Sequence, residues 1–161
     1  MKKQFFTAVI AITVMLMGFA EEKAPSSIPV NLKKWTTVEG KLQKELRKYV
    51  QFDEKELRLT SGERPVGFGY FGIEPIPCKV ADKVKIRLEV SGTGILNVGF
   101  LEYKSGYTYT GTLTREIRLV SRPVPYELVF KIDAADTTLA RPVIFVSAKT
   151  DAVIRNLSIE K

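Results

Sequence analysis

The sequence predicts an all-β chain folded as a single antiparallel β-sandwich, and three observations carry that prediction. Short runs of residues alternate apolar with polar, which is the period of a half-buried strand. These runs recur at close intervals with Gly, Pro or Ser between them, a spacing that favours a sandwich over a parallel α/β sheet. The 161 residues, 45% hydrophobic and 27% charged, suit one globular domain and are neither disordered nor low-complexity.

The N-terminus reads as a segment apart from the domain. Lys2 and Lys3 precede a nearly unbroken apolar stretch, residues 5–19, and Gly18 and Ala20 put small residues at the −3 and −1 positions of a cut before Glu21. This is the pattern of a cleavable secretory leader over residues 1–20. Its apolar run of about 15 residues falls short of the roughly 20 that a spanning helix needs. The expectation is an exported bacterial protein, periplasmic, at the cell surface or secreted, with no stable membrane span once the leader is cleaved. Loss of the two lysines takes the formal charge from +7 to about +5. A basic exported domain meets anionic envelopes and acidic polysaccharides rather than nucleic acid.

Residues 21–29, with Pro25, Ser26, Ser27 and Pro29, read as a flexible leader to a domain over residues 30–161. Two readings stay open for residues 38–48. Val38, Leu42, Leu46 and Tyr49 recur at helical spacing, so a short helix and an irregular strand both fit. Residues 49–52 and 57–60 alternate around Asp53-Glu54-Lys55-Glu56 and predict a hairpin. In residues 83–90, Val84, Ile86, Leu88 and Val90 face one way while Lys85, Arg87 and Glu89 face the other. Ser91-Gly92-Thr93-Gly94 reads as a turn and residues 95–103 as the next strand. Further strands are expected over residues 114–120, 126–132, 143–146 and 152–159.

The composition also removes chemistry. There is no histidine, hence no imidazole base and no imidazole metal ligand. Cys78 is the only cysteine, which excludes an intrachain disulfide, and its apolar setting predicts a buried, inert thiol. The acidic residues are scattered in turns or paired with lysines, so no carboxylate pair for glycoside cleavage stands out. A polysaccharide lyase is the nearest catalytic alternative and lacks a tuned base. Gly67-x-Gly69-x-x-Gly72 matches a dinucleotide fingerprint only on paper, because Pro75 and Pro77 stand where the phosphate-binding helix should begin.

Residues 76–161 resemble the carbohydrate-binding modules of the galactose-binding-like jelly-roll group, especially the cellulase-associated families 4 and 9. The matching stretches are the strand at 83–90 with its glycine turn, Ile95-Leu-Asn-Val-Gly-Phe-Leu-Glu-Tyr103, the loop at 106–112, the strand at 126–132 and the closing strand at 152–159. The resemblance implies a jelly-roll sandwich that binds a polysaccharide or glycan without catalysing a reaction. Members of the group often hold a structural calcium between the N-terminal stretch and an acidic residue of the closing strand. Here those places read Asn31-Leu32-Lys33-Lys34-Trp35 and Arg155-Asn156, a donor set too basic for calcium. No cofactor is therefore expected.

Sugars present apolar C–H faces rimmed by hydroxyls, so their sites combine aromatic rings with planar polar groups. Tyr107 and Tyr109, two apart, would project from one side of an extended segment, with Tyr103 completing a rim of three phenols. Tyr70, among the glycines of residues 67–72, and Trp35 are further candidate rings, and both read more readily as core. Arg87 and Asn97 would supply polar contacts from outward sheet faces. The alternative to sugar binding is a structural or adhesion domain of the same fold with an envelope protein as partner, since sandwiches host both.

Overall fold

The computed structural model describes residues 26–28, 30–37, 47–70 and 74–161. The leader expected over residues 1–20, residues 38–46 and Gly72 lie outside these. Among the described residues twelve strands follow one another: β1 Ser27–Ile28, β2 Trp35–Thr37, β3 Val50–Phe52, β4 Glu56–Thr60, β5 Val66–Tyr70, β6 Ile76–Pro77, β7 Lys83–Thr93, β8 Ile95–Lys104, β9 Thr108–Arg118, β10 Val124–Lys131, β11 Leu139–Val146 and β12 Asp151–Glu160. They form two antiparallel sheets. One runs β10-β7-β12-β4-β3 with β1 beside β12, and the other runs β2-β5-β11-β8-β9 with β6 beside β11. We call them the β7 sheet and the β8 sheet.

The alternation read from residues 83–90 is what assembles the core. Val84, Ile86, Leu88 and Val90 are all buried, and they meet Leu96, Val98 and Phe100 of β8 across the sandwich. Phe100 and Phe130 bind the two layers directly, edge to face with ring centroids 5.3 Å apart. Each such side chain, once fully buried, contributes about 1.5–3 kcal/mol through removal of apolar surface from water. The hairpin around Asp53 forms as expected, with Val50 opposite Leu59. The Asp53 carboxylate closes its turn by accepting the N–H groups of Lys55 and Glu56, 2.6 and 2.8 Å away. Those bonds hold its carboxyl below the usual aspartate range.

Three expectations are corrected. Ser27 and Ile28 are not a free leader, because they pair with Glu160 and Ile159 of β12. Residues 91–94 are not a simple turn: β7 continues to Thr93, and Gly94 alone, at φ 97°, carries the chain from one sheet to the other. A side chain disfavours that conformation, so glycine is needed at the corner. Residues 108–112 are strand rather than loop, and β9 begins at Thr108. Of the two readings open for residues 67–70, loop or core strand, the strand is what forms: they belong to β5, all of whose positions are buried.

Candidate functional site

The outward faces of the two sheets differ in chemistry. On the β7 sheet the exposed side chains are mostly charged and bind one another. Arg87 reaches Glu127 at 2.7 Å and also pairs with Glu160, while Lys85 lies 3.4 Å from Glu127. Arg155 grips Glu56 at 2.7 Å and Arg58 grips Asp151. This face is a self-satisfied lattice of ion pairs.

The β8 sheet presents hydroxyls, rings and an amide beside a few charges, among them the Glu116–Arg118 pair at 3.3 Å. Strand alternation and register place Asn97, Leu101 and Tyr103 of β8 on its outward side, beside Glu116, Thr112 and Tyr109 of β9 and beside Phe145, Arg141 and Leu139 of β11. Val143 on the same side is buried, so the open part of the face lies toward β8 and β9. Tyr103 lies six positions beyond Asn97, which at about 3.3 Å per residue makes a strip roughly 20 Å long.

Tyr103 and Tyr109 anchor one end of the strip. Their rings meet edge to face with centroids 6.2 Å apart, and Tyr109 is 59% exposed. A β-bulge creates this pairing. Glu102 faces Gly111 while Tyr103 faces Tyr109, which leaves Thr110 as the extra residue of β9. A regular ladder would set Tyr109 across from Lys104 and turn it to the opposite side, because a one-residue slip exchanges the two faces of a strand. The bulge also brings the Tyr109 hydroxyl within 2.7 Å of Thr112 Oγ1. Burial raises the Tyr103 phenol above its ordinary pKa, and the nearby Arg141 charge offsets part of that rise.

Tyr107 is reached differently from the expectation. It sits in the turn rather than in an extended run, with φ at 61° and its N–H donated to the Lys104 carbonyl at 3.1 Å. Its hydroxyl donates to Glu74 Oε2 at 2.8 Å. The Glu74 carboxylate in turn raises the phenol's pKa. Tyr107 therefore stands at the end of the strip, 54% exposed, and does not share a strand face with Tyr109.

Three candidates do not join this group. Trp35 and Tyr70 pack against each other in the core, centroids 5.4 Å apart and only 4% and 1% exposed. The Tyr70 hydroxyl accepts the Asn31 N–H at 2.8 Å. Neither ring offers a face to a ligand, because both fill the space behind β2 and β5. Arg87 lies on the other sheet, occupied by Glu127 and Glu160, so it cannot converge with Asn97. The sequence reading missed Arg141, Thr112, Leu101 and Glu74. Arg141 carried a usable signal, as a lone cation within an otherwise apolar strand.

A groove of about 640 Å³ lies elsewhere, at the rim of the β7 sheet, lined by residues that include Val30, Leu32, Asp53, Glu54, Arg155 and Asn156. None of its described lining residues is aromatic, so it offers no ring to a sugar. It is also where the resemblance would put calcium, and the residues do not fit that ion. Asp53 is engaged by backbone N–H groups, Glu56 by Arg155, and no three acidic side chains converge among the described residues. The Cys78 thiol is buried, and that burial pushes its pKa up to about 11.

No family model matches the chain, and no curated protein matches it in sequence. In fold it is similar to several solved structures. The enzymatically active domain of bacteriophage CBA120 tailspike protein 4 aligns at TM-score 0.57 and 12% identity, over 80% of this chain and only 19% of that one. The N-terminal cellulose-binding domain of Cellulomonas fimi β-1,4-glucanase C aligns at TM-score 0.52 and 12% identity, over 79% of this chain and 88% of that one. The CBM22-1–GH10 modules of Clostridium thermocellum xylanase 10B, complexed with xylohexaose, align at TM-score 0.50 and 11% identity, over 85% and 28%. This chain has the jelly-roll β-sandwich fold found in carbohydrate-binding modules.

Proposed function

We propose that this chain is an exported, non-catalytic module that binds a polysaccharide along the outward face of its β8 sheet. The observation that carries the reading is the Tyr103–Tyr109 pair. Two phenols are held together at the end of an open strip otherwise lined by Thr112, Leu101, Arg141 and Asn97. The rings supply apolar faces for sugar C–H groups, and their hydroxyls, Thr112, Arg141 and Asn97 supply donors and acceptors for the sugar's edge. The ion-paired β7 face provides no such combination. The leader pattern of residues 1–20 supports export, and the lack of histidine supports a binding rather than a catalytic role.

The test is affinity electrophoresis of the domain through gels containing neutral or acidic polysaccharides, with and without calcium. Retardation on one polymer class, lost on replacing Tyr103 and Tyr109 by alanine, is the expected result. Migration unchanged by every polymer would overturn the reading and turn attention to an envelope protein as the ligand. Retardation that needs calcium would overturn the exclusion of that ion.

A further inference from the structure

The connection from β10 to β11, residues 132–138, holds a buried hydroxyl outside the open strip. Thr137 is only 3% exposed, so it offers nothing to a ligand on the outward face. Burying a hydroxyl is unfavourable unless it is bonded, and this one lies 3.0 Å from the hydroxyl of Thr110. A tight turn presents it. Thr137 donates its N–H to the Ala134 carbonyl at 3.3 Å, and Asp136 between them takes φ 62°. Aspartate tolerates that left-handed conformation better than most side chains do, so the turn forms here without glycine.

This turn meets both strands that carry the tyrosine pair. On β8, Thr138 donates its N–H to the Tyr103 carbonyl at 2.9 Å. On β9, Ala134 lies against Gly111, where an added Cβ would come within 3.2 Å of the Ala134 methyl. Thr137 reaches Thr110, the extra residue of the bulge, which stands between Gly111 and Tyr109. The extra residue of a bulge is left out of the ladder, so a contact from outside the ladder is what can hold it. One segment thus touches Tyr103 directly and Tyr109 through the residue next to it.

We propose that Thr137 is a positioning residue of this site: its hydroxyl holds Thr110 in the bulge and so keeps Tyr109 on the same face as Tyr103. Without that hold β9 is free to return to a regular ladder, in which Tyr109 stands across from Lys104 and turns to the opposite side. The consequence for a ligand rests on the glycan-binding reading, whereas the effect on the rings does not.

Two substitutions separate the hydroxyl from the space it fills. Thr137→Val keeps the branched shape and removes the hydroxyl, whereas Thr137→Ser keeps the hydroxyl and removes a methyl. Ring-to-ring contacts are read by NMR for Tyr103–Tyr109, with Trp35–Tyr70 as the internal control, and the same proteins are run in polysaccharide gels. The Ser variant should keep the Tyr103–Tyr109 contact and its retardation. The Val variant should lose that contact, keep Trp35–Tyr70, and bind roughly 2- to 10-fold more weakly, the range expected for loss of one aromatic contact. A purely structural role would lower the melting temperature and leave the Tyr103–Tyr109 contact in place. A Val variant with that contact intact, or a Ser variant without it, overturns the proposal. Should the Val variant fail to fold, Thr110→Val removes the other half of the same hydroxyl pair at a half-buried position. Loss of the ring contact there supports the proposal, and its survival overturns it. If wild-type protein is retained on no polymer, the glycan reading fails, and the ring contacts still decide the role of Thr137.

Discussion

Gly99 of β8 lies so close to Leu113 of β9 that a Cβ at position 99 would sit 1.8 Å from the Leu113 carbonyl oxygen. The neighbour is backbone, which cannot swing aside as a flexible side chain would. Gly99→Ala should therefore push β9 away from β8 and destabilise the protein by about 1–3 kcal/mol, the cost of overpacking a close contact. Urea unfolding checks the value. A loss within error would mean that β9 yields easily at this point. Because β9 carries Tyr109 and Thr112, the same substitution should weaken glycan retention.

Tyr107 and Tyr109 are each more than half exposed, at 54% and 59%. Replacing both by alanine should leave the thermal melt nearly unchanged, as for ordinary surface positions. Retention should fall, mostly through Tyr109, by about 2- to 10-fold for that ring. Thermal melts and affinity gels on the single and double variants measure the two effects. Collapse of the double variant would place these rings in the core and sink their assignment.

Arg87 provides the opposite control. It belongs to the ion-paired β7 sheet, half-exposed between Glu127 and Glu160. Arg87→Met should leave the thermal melt nearly unchanged, since exposed pairs are screened by solvent. Polysaccharide retention should stay unchanged. A drop in retention without a drop in stability would move the site to the other face.

Cys78 makes a pH-dependent prediction. Burial raises its pKa from 9.0 to about 11, so the folded state disfavours the thiolate that the unfolded chain forms more readily. The stability tied to the neutral thiol is complete below pH 9 and is lost as the pH climbs through that interval toward 11. Native protein at pH 8 should react slowly with a thiol-specific disulfide reagent and quickly once unfolded in guanidinium. Equal rates in the two states would show that the thiol is reached without unfolding.

Much of the fold was legible because alternation is a local signal. The period-two run through Val84, Ile86, Leu88 and Val90 names the inward face of β7 without reference to any partner. The hairpin at Asp53 was legible for the same reason, both strands and turn being contiguous. Sheet membership was not. Consecutive strands β7 and β8 separate at Gly94, and nothing between them distinguishes a hairpin from a crossing between layers. That ambiguity let Arg87 and Asn97 look like neighbours when they stand on opposite sides of the molecule. The tyrosine cluster was visible as composition, but its geometry depends on one bulged residue, Thr110, whose place is set by contacts to the distant Thr137. Rings such as Trp35 and Tyr70 suit core and ligand alike, and only their packing against each other assigns them.

The order of strands has a consequence for the chain as it is made. The last strand, β12, is the middle of its sheet, joining β7 on one flank to β4 and β1 on the other. Until its ten residues leave the ribosome, the first half of that sheet has nothing to close against. Synthesis runs from the N-terminus, so the sandwich cannot be completed piece by piece during translation. β12 thus works as a latch between β7 and β4, and that sheet stays open until this strand is added.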